Sequence, residues 1–550
     1  MIGENDGVTP EVLLVFVLAA VAVIVGVRWL AARTGLPAAA ILPVVGIVYA
    51  LLPGPNIALE PEIILTFVLP PLLYSAALDS SLLAIRRNMR IVVSLSVILV
   101  LLTALVAGLG FHLFVAGATL AAGAAVGAAI APPDPVAALA VGRRVGLPPR
   151  LVTIIQGEGL LNDATALTIL SFAAAAAVGE EFSVPRAIGQ FLLAAAGGAL
   201  VGAAVAYAVR LLRPLGKDPL MANAISLATP FVAYLLGEEL HVSGVLAVVI
   251  AGLIVGHHTP RSSSGASRLQ TSAVWRLVDF LLEGFVFLLI GQQLPEVIRN
   301  LREYHTSTVV IAVAIAVGAT LLIRPLWLAL TQLLPRSLHT RLGSESGKRE
   351  EKLGGREVVA LSWAGTRGVI SLAAVFTLPL VTDSGAPFPD RDLLLFCTFV
   401  VVLVTLVGQG LTFTPLVRLL GLRANEVDEA RIRNEARSAS VRAALDRLDE
   451  IDHEDHDDLD TQAIEVMRAQ LEHRLHRYQG RLDLLQSSDS PEIPVSPRYE
   501  AALRIRRAAI DAQRAELLRW RDAGTLPDES LRRLERELDH EERLLPERTS

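Results

Sequence analysis

Between Glu11 and Leu420 apolar runs recur about thirteen times, each close to the roughly 20 residues that a helix needs to cross some 30 Å of hydrocarbon. A water-soluble core cannot absorb so many such runs, and the strands of a membrane barrel would alternate in polarity instead. The composition agrees, with 53% hydrophobic and only 19% charged residues and a mean hydropathy of +0.52. The expectation is an all-α polytopic membrane protein of about 13 transmembrane helices. The first run, Val12 to Leu30, has no basic stretch before it and no small-residue cleavage site after it, so it reads as a retained helix. The one cysteine, Cys397, excludes an internal disulfide framework and reads as a small core residue.

The connections alternate in basic content. One set carries Arg33, then Arg86, Arg87 and Arg90, then Arg143, Arg144 and Arg150, then Arg210, Arg213 and Lys217, then Arg261 and Arg268, then Arg336 to Arg356. The other set, Pro53 to Glu62, Gly179 to Arg186, Gly237 to Leu240 and Thr382 to Asp392, is poor in them, and only Arg299 and Arg302 break the trend. Lys and Arg accumulate in short cytoplasmic loops, so an odd number of helices puts the N-terminus outside and the C-terminus in the cytoplasm.

After Leu420 the chain changes character. Arg423 to Ser550 holds 30 Asp+Glu and 22 Arg, half of all the charges in the protein, which divides the chain into a membrane domain, 1–422, and a soluble helical tail, 423–550. Leu503, Ile510 and Leu517 recur every seven residues and Leu531, Leu534 and Leu538 every three or four, so two amphipathic helices are expected there, broken at Gly524 and Pro527. Ser487 to Pro497 reads as a linker. The run Asp452 to Asp458, with His453 and His456, reads as a solvated acidic loop, with metal binding or pH sensing as the alternative. The tail holds no phosphate-binding glycine loop, kinase signature or catalytic triad pattern. No enzymatic activity, cofactor or nucleic-acid partner is expected.

Within the apolar part, Gly157-Glu158-Gly159-Leu160-Leu161-Asn162-Asp163-Ala164 places two carboxylates and an amide in a stretch otherwise fit to span a membrane. An Asp at a helix centre costs roughly 3 kcal/mol to insert, so such residues face a bundle interior or a wet cavity and serve an ion or proton path. Glu158 precedes Asp163 by five residues, about 140° around a helix, and the two should have different jobs. Two other segments carry helix breakers: Ala131-Pro132-Pro133-Asp134-Pro135 in the fifth, and Gly365-Thr366-Arg367-Gly368 in the twelfth. If segments 1 to 6 and 8 to 13 are inverted repeats, these breaks are equivalent and cross near the midplane. Asp134 would then face the positive helix N-termini and Arg367 the negative C-termini, each worth on the order of 1 kcal/mol. The alternative is that the prolines merely kink a bundle. Asp279 and Glu283, four apart on one helix face, are read as partners of Arg367, or else as a helix-end salt bridge unrelated to transport. Asp79 reads as a helix-end charge beside Arg86 and Arg87, and His112 as a packing or interfacial residue.

These residues resemble the monovalent cation/proton antiporters, which include bacterial sodium/proton antiporters and eukaryotic sodium/proton exchangers. The resemblance rests on Leu69-Pro70-Pro71-Leu72-Leu73-Tyr74, Asp134-Pro135-Val136-Ala137, Glu158 to Ala164, Arg324-Pro325-Leu326-Trp327 and Gly365-Thr366-Arg367-Gly368, in this order over about residues 10 to 420. It implies an inverted-repeat fold with two crossed, broken helices, a homodimer, elevator-like alternating access and a plasma-membrane location. It implies Asp163 as the carboxylate that binds cation and proton in competition, with Asn162 and Asp134 at the same site, and an electroneutral exchange. Asp163 and Asp134 would hold the monovalent cation, sodium first, with potassium or lithium as the alternatives. It implies a structural ion pair between Glu158 and Arg324. The chain departs from the pattern at Pro133, where relatives often have Thr, at Gly159, where they have Ser, and at Ser75, often Glu. Backbone carbonyls near Pro132 and Pro133, or water, would have to replace those oxygens. An ion channel is disfavoured by the absence of a repeated selectivity-filter segment and by the paired broken helices. An ion-sensing membrane protein whose tail signals is the remaining alternative.

Overall fold

The structure, a computed structural model, describes residues 10–34, 38–52, 64–178, 184–212, 218–262, 264–333, 353–382, 385–424, 426–452, 458–486, 497–523 and 525–543. The loop at Pro53 to Glu62, the run His453 to Asp457, most of the expected linker and basic loop (487–496 and 336–352) and Gly524 lie outside the described residues. Among the described residues the regular elements are helices, and an isolated bridge joins Val381 and Pro387. The all-α expectation holds. The chain divides into two compact units, Met1–Arg423 and Ala424–Ser550.

The first unit runs through α1 (Pro10–Thr34), α2 (Ala38–Ala50), α3 (Leu69–Leu78, entered through a π turn at Ile64–Val68), α4 (Leu82–Arg87) and α5 (Met89–Phe114). It continues with α6 (Leu120–Ile130), α7 (Pro135–Val145), α8 (Pro149–Val178), α9 (Val184–Leu212), α10 (Pro219–Glu239) and α11 (Gly244–Ser262). Then come α12 (Gly265–Asn300), α13 (Thr306–Leu333), α14 (Gly355–Trp363), α15 (Val369–Phe376) and α16 (Arg391–Leu420). Side-chain caps start several of them: Thr119 accepts from the Ala122 amide at 3.0 Å, Asp218 from Leu220 at 3.2 Å and Ser264 from Ser267 at 3.2 Å.

By length and composition α1, α5, α8, α9, α10, α13 and α16 contain spans apolar enough to cross a membrane, while α2, α3, α6 and α11 are apolar but shorter. The other expected runs are α12, whose middle carries Asp279, Glu283 and Gln292, and the segments split into α6 with α7 and α14 with α15. Leu14, Leu193, Leu200, Leu322 and Leu326 are each at least 60% exposed. Such apolar outer faces suit hydrocarbon and not water.

Inside, α5 lies along α6, α8 packs on α6, and α13 packs on α5 and α16. The contact surfaces are built from small side chains such as Ala122, Ala125, Ala128, Ala129, Ala312 and Ala316, all fully buried. Without a hydrophobic force between helices in lipid, close backbone approach through small residues is what holds such contacts. A second group joins α2 to α12, α3 and α9 to α11, and α10 to α11 and α12.

The second unit holds two helix pairs, α17 (Glu426–Asp452) with α18 (Asp458–Gln486) and α19 (Pro497–Asp522) with α20 (Asp528–Arg543). The heptad residues Leu503, Ile510 and Leu517 of α19 cluster with Leu538 of α20. The helical tail expected from the sequence is placed helix by helix only for the second pair; α17 and α18 have no such pattern. In α17 the buried positions Ala430, Asn434, Ser438 and Val441 recur every three or four residues, but Asn434 and Ser438 are polar, so no apolar stripe marks the helix.

Candidate functional site

The helix breakers act where their chemistry requires. α6 ends at Ile130, and the chain leaves the helix until Pro135, at the first position of α7, restarts it. α14 ends at Trp363, and α15 begins at Val369. The two interruptions meet. The Asp134 amide donates to the Thr366 carbonyl at 2.7 Å, and Thr366 Oγ1 donates to the Asp134 carbonyl at 2.9 Å. Backbone groups freed by one break are thus satisfied by the other, which non-helical chain at membrane depth requires.

Each crossing end meets a charge of opposite sign. The Asp134 carboxylate accepts from the Val136 amide at 2.9 Å, capping α7. It also lies over Gly368, the N-cap of α15, where any Cβ would collide with it. Arg367 donates from Nε to the Ile130 carbonyl at 2.5 Å, at the end of α6, and from its guanidinium to the Gly365 carbonyl just past α14. One carboxylate therefore serves two N-termini and one guanidinium serves two C-termini. The Arg367 amide donates to Thr405 Oγ1 at 2.9 Å. Thr405 opens a π turn in α16, Thr405–Gln409, which sets its hydroxyl toward the crossing.

α8 passes the crossing with two working faces. Glu158, 1% exposed, accepts both terminal nitrogens of Arg324, 3% exposed, the Nη2 to Oε2 bond measuring 2.8 Å. Arg324 Nε donates to the Leu361 carbonyl at 2.9 Å, and Ser96 Oγ to the Glu158 carbonyl at 3.2 Å. This pair ties α8, α13 and α14 together. On the other face Asn162 Nδ2 donates to the Pro133 carbonyl at 3.0 Å, while its Oδ1 is buried without a partner. Asp163 is 3% exposed. Among the described residues no donor reaches its carboxylate, and the charge that acts on it is that of Asp134.

The departures have local causes. A Cβ at Gly159 would lie 2.5 Å from Cγ and 2.7 Å from Cδ of Pro135, so the restart of α7 packs where a serine side chain would stand. The Pro133 carbonyl, expected to stand in for a lost hydroxyl, accepts the Asn162 amide on one of its two lone pairs. Ser75 Oγ donates to Asp279 Oδ2 at 2.5 Å. This corrects the reading of Asp279 and Glu283 as partners of Arg367, whose donors go to helix-end carbonyls. Glu283 instead has Asp134, Asp279 and Arg28 as its charged neighbours. Asp79 is exposed at the C-cap of α3, His112 is exposed with Nδ1 3.3 Å from the Ala118 carbonyl, and Cys397 is buried. Thr405 and Ser96 escaped the sequence reading because a lone hydroxyl in an apolar helix carries no periodic signal. Thr366 sat inside a quoted motif but only the crossing shows what it bonds.

Asp163 and Asn162 of α8 and Asp134 at the crossing thus bring two carboxylates and a shielded amide oxygen to the crossing. That chemistry agrees with what the chain is similar to. The family described as "Sodium/hydrogen exchanger, transmembrane" matches residues 17–419. An uncharacterised sodium/proton exchanger of Mycobacterium tuberculosis H37Rv is 32% identical over 98% of this chain and 97% of its own length. A sodium, potassium, lithium and rubidium/proton antiporter of Bacillus subtilis is 32% identical over 68% of this chain and 56% of its own. The structure of a sodium proton antiporter from Methanocaldococcus jannaschii superposes with a TM-score of 0.60 at 20% identity, covering 74% of this chain and 98% of that one.

Proposed function

The chain belongs to the transmembrane sodium/hydrogen exchanger family, a family of cation/proton antiporters, and on that footing we propose that it exchanges sodium for protons through competition at Asp163. The observation that carries this reading is the setting of Asp163: buried, reached by no donor among the described residues, next to Asp134 and on the same helix as the unpartnered Asn162 Oδ1. A bare carboxylate is costly to hold or carry through hydrocarbon, so the site is stable when a proton or a cation neutralises it. Whichever binds displaces the other, and the loaded site is the one that crosses. An Asn rather than a second Asp before Asp163 supports one cation for one proton. Asp134 and Asn162 shape the site, and Glu158 with Arg324 serves as scaffold.

Potassium and lithium remain alternative substrates, because the Bacillus subtilis relative's name spans several cations and this chain lacks the side-chain oxygens discussed at Pro133 and Gly159. The reading further takes about thirteen crossings with the N-terminus outside, a homodimer in the plasma membrane, elevator-like movement of a mobile core against a dimerisation domain, and a cytoplasmic tail that regulates it. The test is dye-reported proton efflux from acid-loaded everted vesicles on addition of sodium, potassium or lithium, with Asp163→Asn alongside. Dissipation by one cation that vanishes in the variant supports antiport and names the ion. A response untouched by the loss of Asp163 would overturn it.

A further inference from the structure

α12 lies outside the sequence motifs that mark the crossing, yet it carries two acidic side chains that the proposed exchange has not used. Asp279 and Glu283 are one turn apart and share a face. α12 packs against α3, which brings Ser75 onto Asp279 Oδ2 at 2.5 Å. The other oxygen, Asp279 Oδ1, is shielded from solvent and has no partner. Glu283 makes neither a hydrogen bond nor an ion pair among the described residues. Its charged surroundings are Asp279 one turn before it, Asp134 of the crossing, and Arg28 of α1, whose guanidinium stands 5.2 Å from the Phe280 ring. Asp279 in turn is within electrostatic reach of Asp79, exposed at the end of α3. Electrostatic neighbours therefore link Asp79 to Asp279, Asp279 to Glu283, and both Glu283 and Asp163 to Asp134, with Arg28 as the cation acting on Glu283.

We propose that Asp279, Glu283 and the hydroxyl of Ser75 form a second cation station, from which the Asp163 centre is loaded. Like charges one turn apart in an apolar helix repel and are hard to solvate, and a monovalent cation between them relieves both costs. Asp279 Oδ1, the Glu283 carboxylate and Ser75 Oγ supply the oxygens a hard cation takes, and Asp134 lies next in line. This rests on the antiport reading, and it adds residues that raise the local cation concentration before exchange.

The test is cation-dependent proton flux by the full-length protein in proteoliposomes, titrated with sodium alone and with potassium alone. Glu283→Gln is expected to raise the apparent KM for the cation about tenfold, with a smaller fall in maximal rate, and Asp279→Asn about fivefold. Glu283→Asp, which keeps the charge, should restore a KM within about twofold of the native one. Arg28→Gln, which removes the competing positive charge, should lower KM. A Glu283 that merely pairs with Arg28 to hold α1 on α12 predicts otherwise: Arg28→Gln and Glu283→Gln would lose melting temperature alike, with KM unmoved. That result, or unchanged KM in both carboxamide variants, overturns the station while leaving antiport standing. Native protein that moves protons with no cation overturns the antiport reading itself. Should Glu283→Gln fail to assemble, Asp279→Asn and Arg28→Gln carry the same decision.

Discussion

In the membrane unit the guanidinium of Arg324 and the carboxylate of Glu158 are 3% and 1% exposed and form one bidentate pair. In the tail, Arg514, 29% exposed, holds Asp539 at 2.5 Å and Glu542 at 2.6 Å, carboxylates that are 54% and 50% exposed. The geometries are alike and the solvents are not. Where water is absent, a charge is costly alone, so the fold around the crossing uses a few charges, each with a fixed place. Where water is present, a lost partner is replaced by hydration and neighbours exchange freely. Charge sets position in the first unit and solubility in the second.

Removing charge at the crossing should therefore have effects out of proportion to the atoms changed. Asp163→Asn keeps the shape and removes the group that proton and cation compete for, so cation-driven proton flux in vesicles should fall to the level of vesicles without the protein. Arg324→Ala comes next. It leaves Glu158 buried without its partner, and detergent-solubilised protein should lose roughly 3 to 5 kcal/mol of stability in a denaturation series. The pair Glu158→Gln with Arg324→Met should lose less than Arg324→Ala alone, because no bare charge remains. Equal losses would mean the pair acts through packing alone and would weaken the contrast with the tail.

Steric and polar supports of the crossing rank below its charges. Gly159→Ala forces a methyl against the ring of Pro135, at a cost of roughly 1 to 3 kcal/mol if the helix cannot shift. Because α7 begins at that proline and Asp134 caps it, the cation KM should move as well as the melting temperature. Thr405→Ala leaves the Arg367 amide without its acceptor in a buried site, again roughly 1 to 3 kcal/mol. A melting temperature unchanged by Thr405→Ala would show that water reaches the crossing there.

The features legible in the sequence are those where a residue type conflicts with its surroundings. Asp163 and Asn162 in an apolar run, three prolines around Asp134 and glycines around Arg367 each announce a break or a buried charge before any coordinates are consulted. The pairing of Asp134 with helix N-termini and Arg367 with C-termini also follows, because it depends only on dipole direction. What stayed hidden depends on which helices touch. Asp279 and Glu283 share a face, but the sequence does not say that the face meets Ser75 and not Arg367. Nor does the sequence say that Asn162 donates to the Pro133 carbonyl, and the π turn that aims Thr405 at Arg367 has no sequence signature of its own. In the tail, α19 was readable from a heptad of leucine and isoleucine, and α17 was not, because its buried positions include Asn434 and Ser438.

The smallest expected effect tests the other half of the comparison. Arg514→Ala removes ion pairs with two carboxylates at once where Arg324 has one carboxylate partner, and counting ion-pair partners would rank it as the worse loss. The solvent argument ranks it last. Asp539 and Glu542 are already half in water, so they regain hydration when the guanidinium leaves, and the side chain recovers no buried volume to fill. The loss should stay below about 1 kcal/mol and should shrink further in high salt, since a pair this exposed is screened within a Debye length. Thermal unfolding of the full-length protein at low and high salt measures both. A salt-independent loss as large as that of Arg324→Ala would mean that Arg514 is buried in the working assembly, and that exposure in the single chain does not decide what a charge is worth.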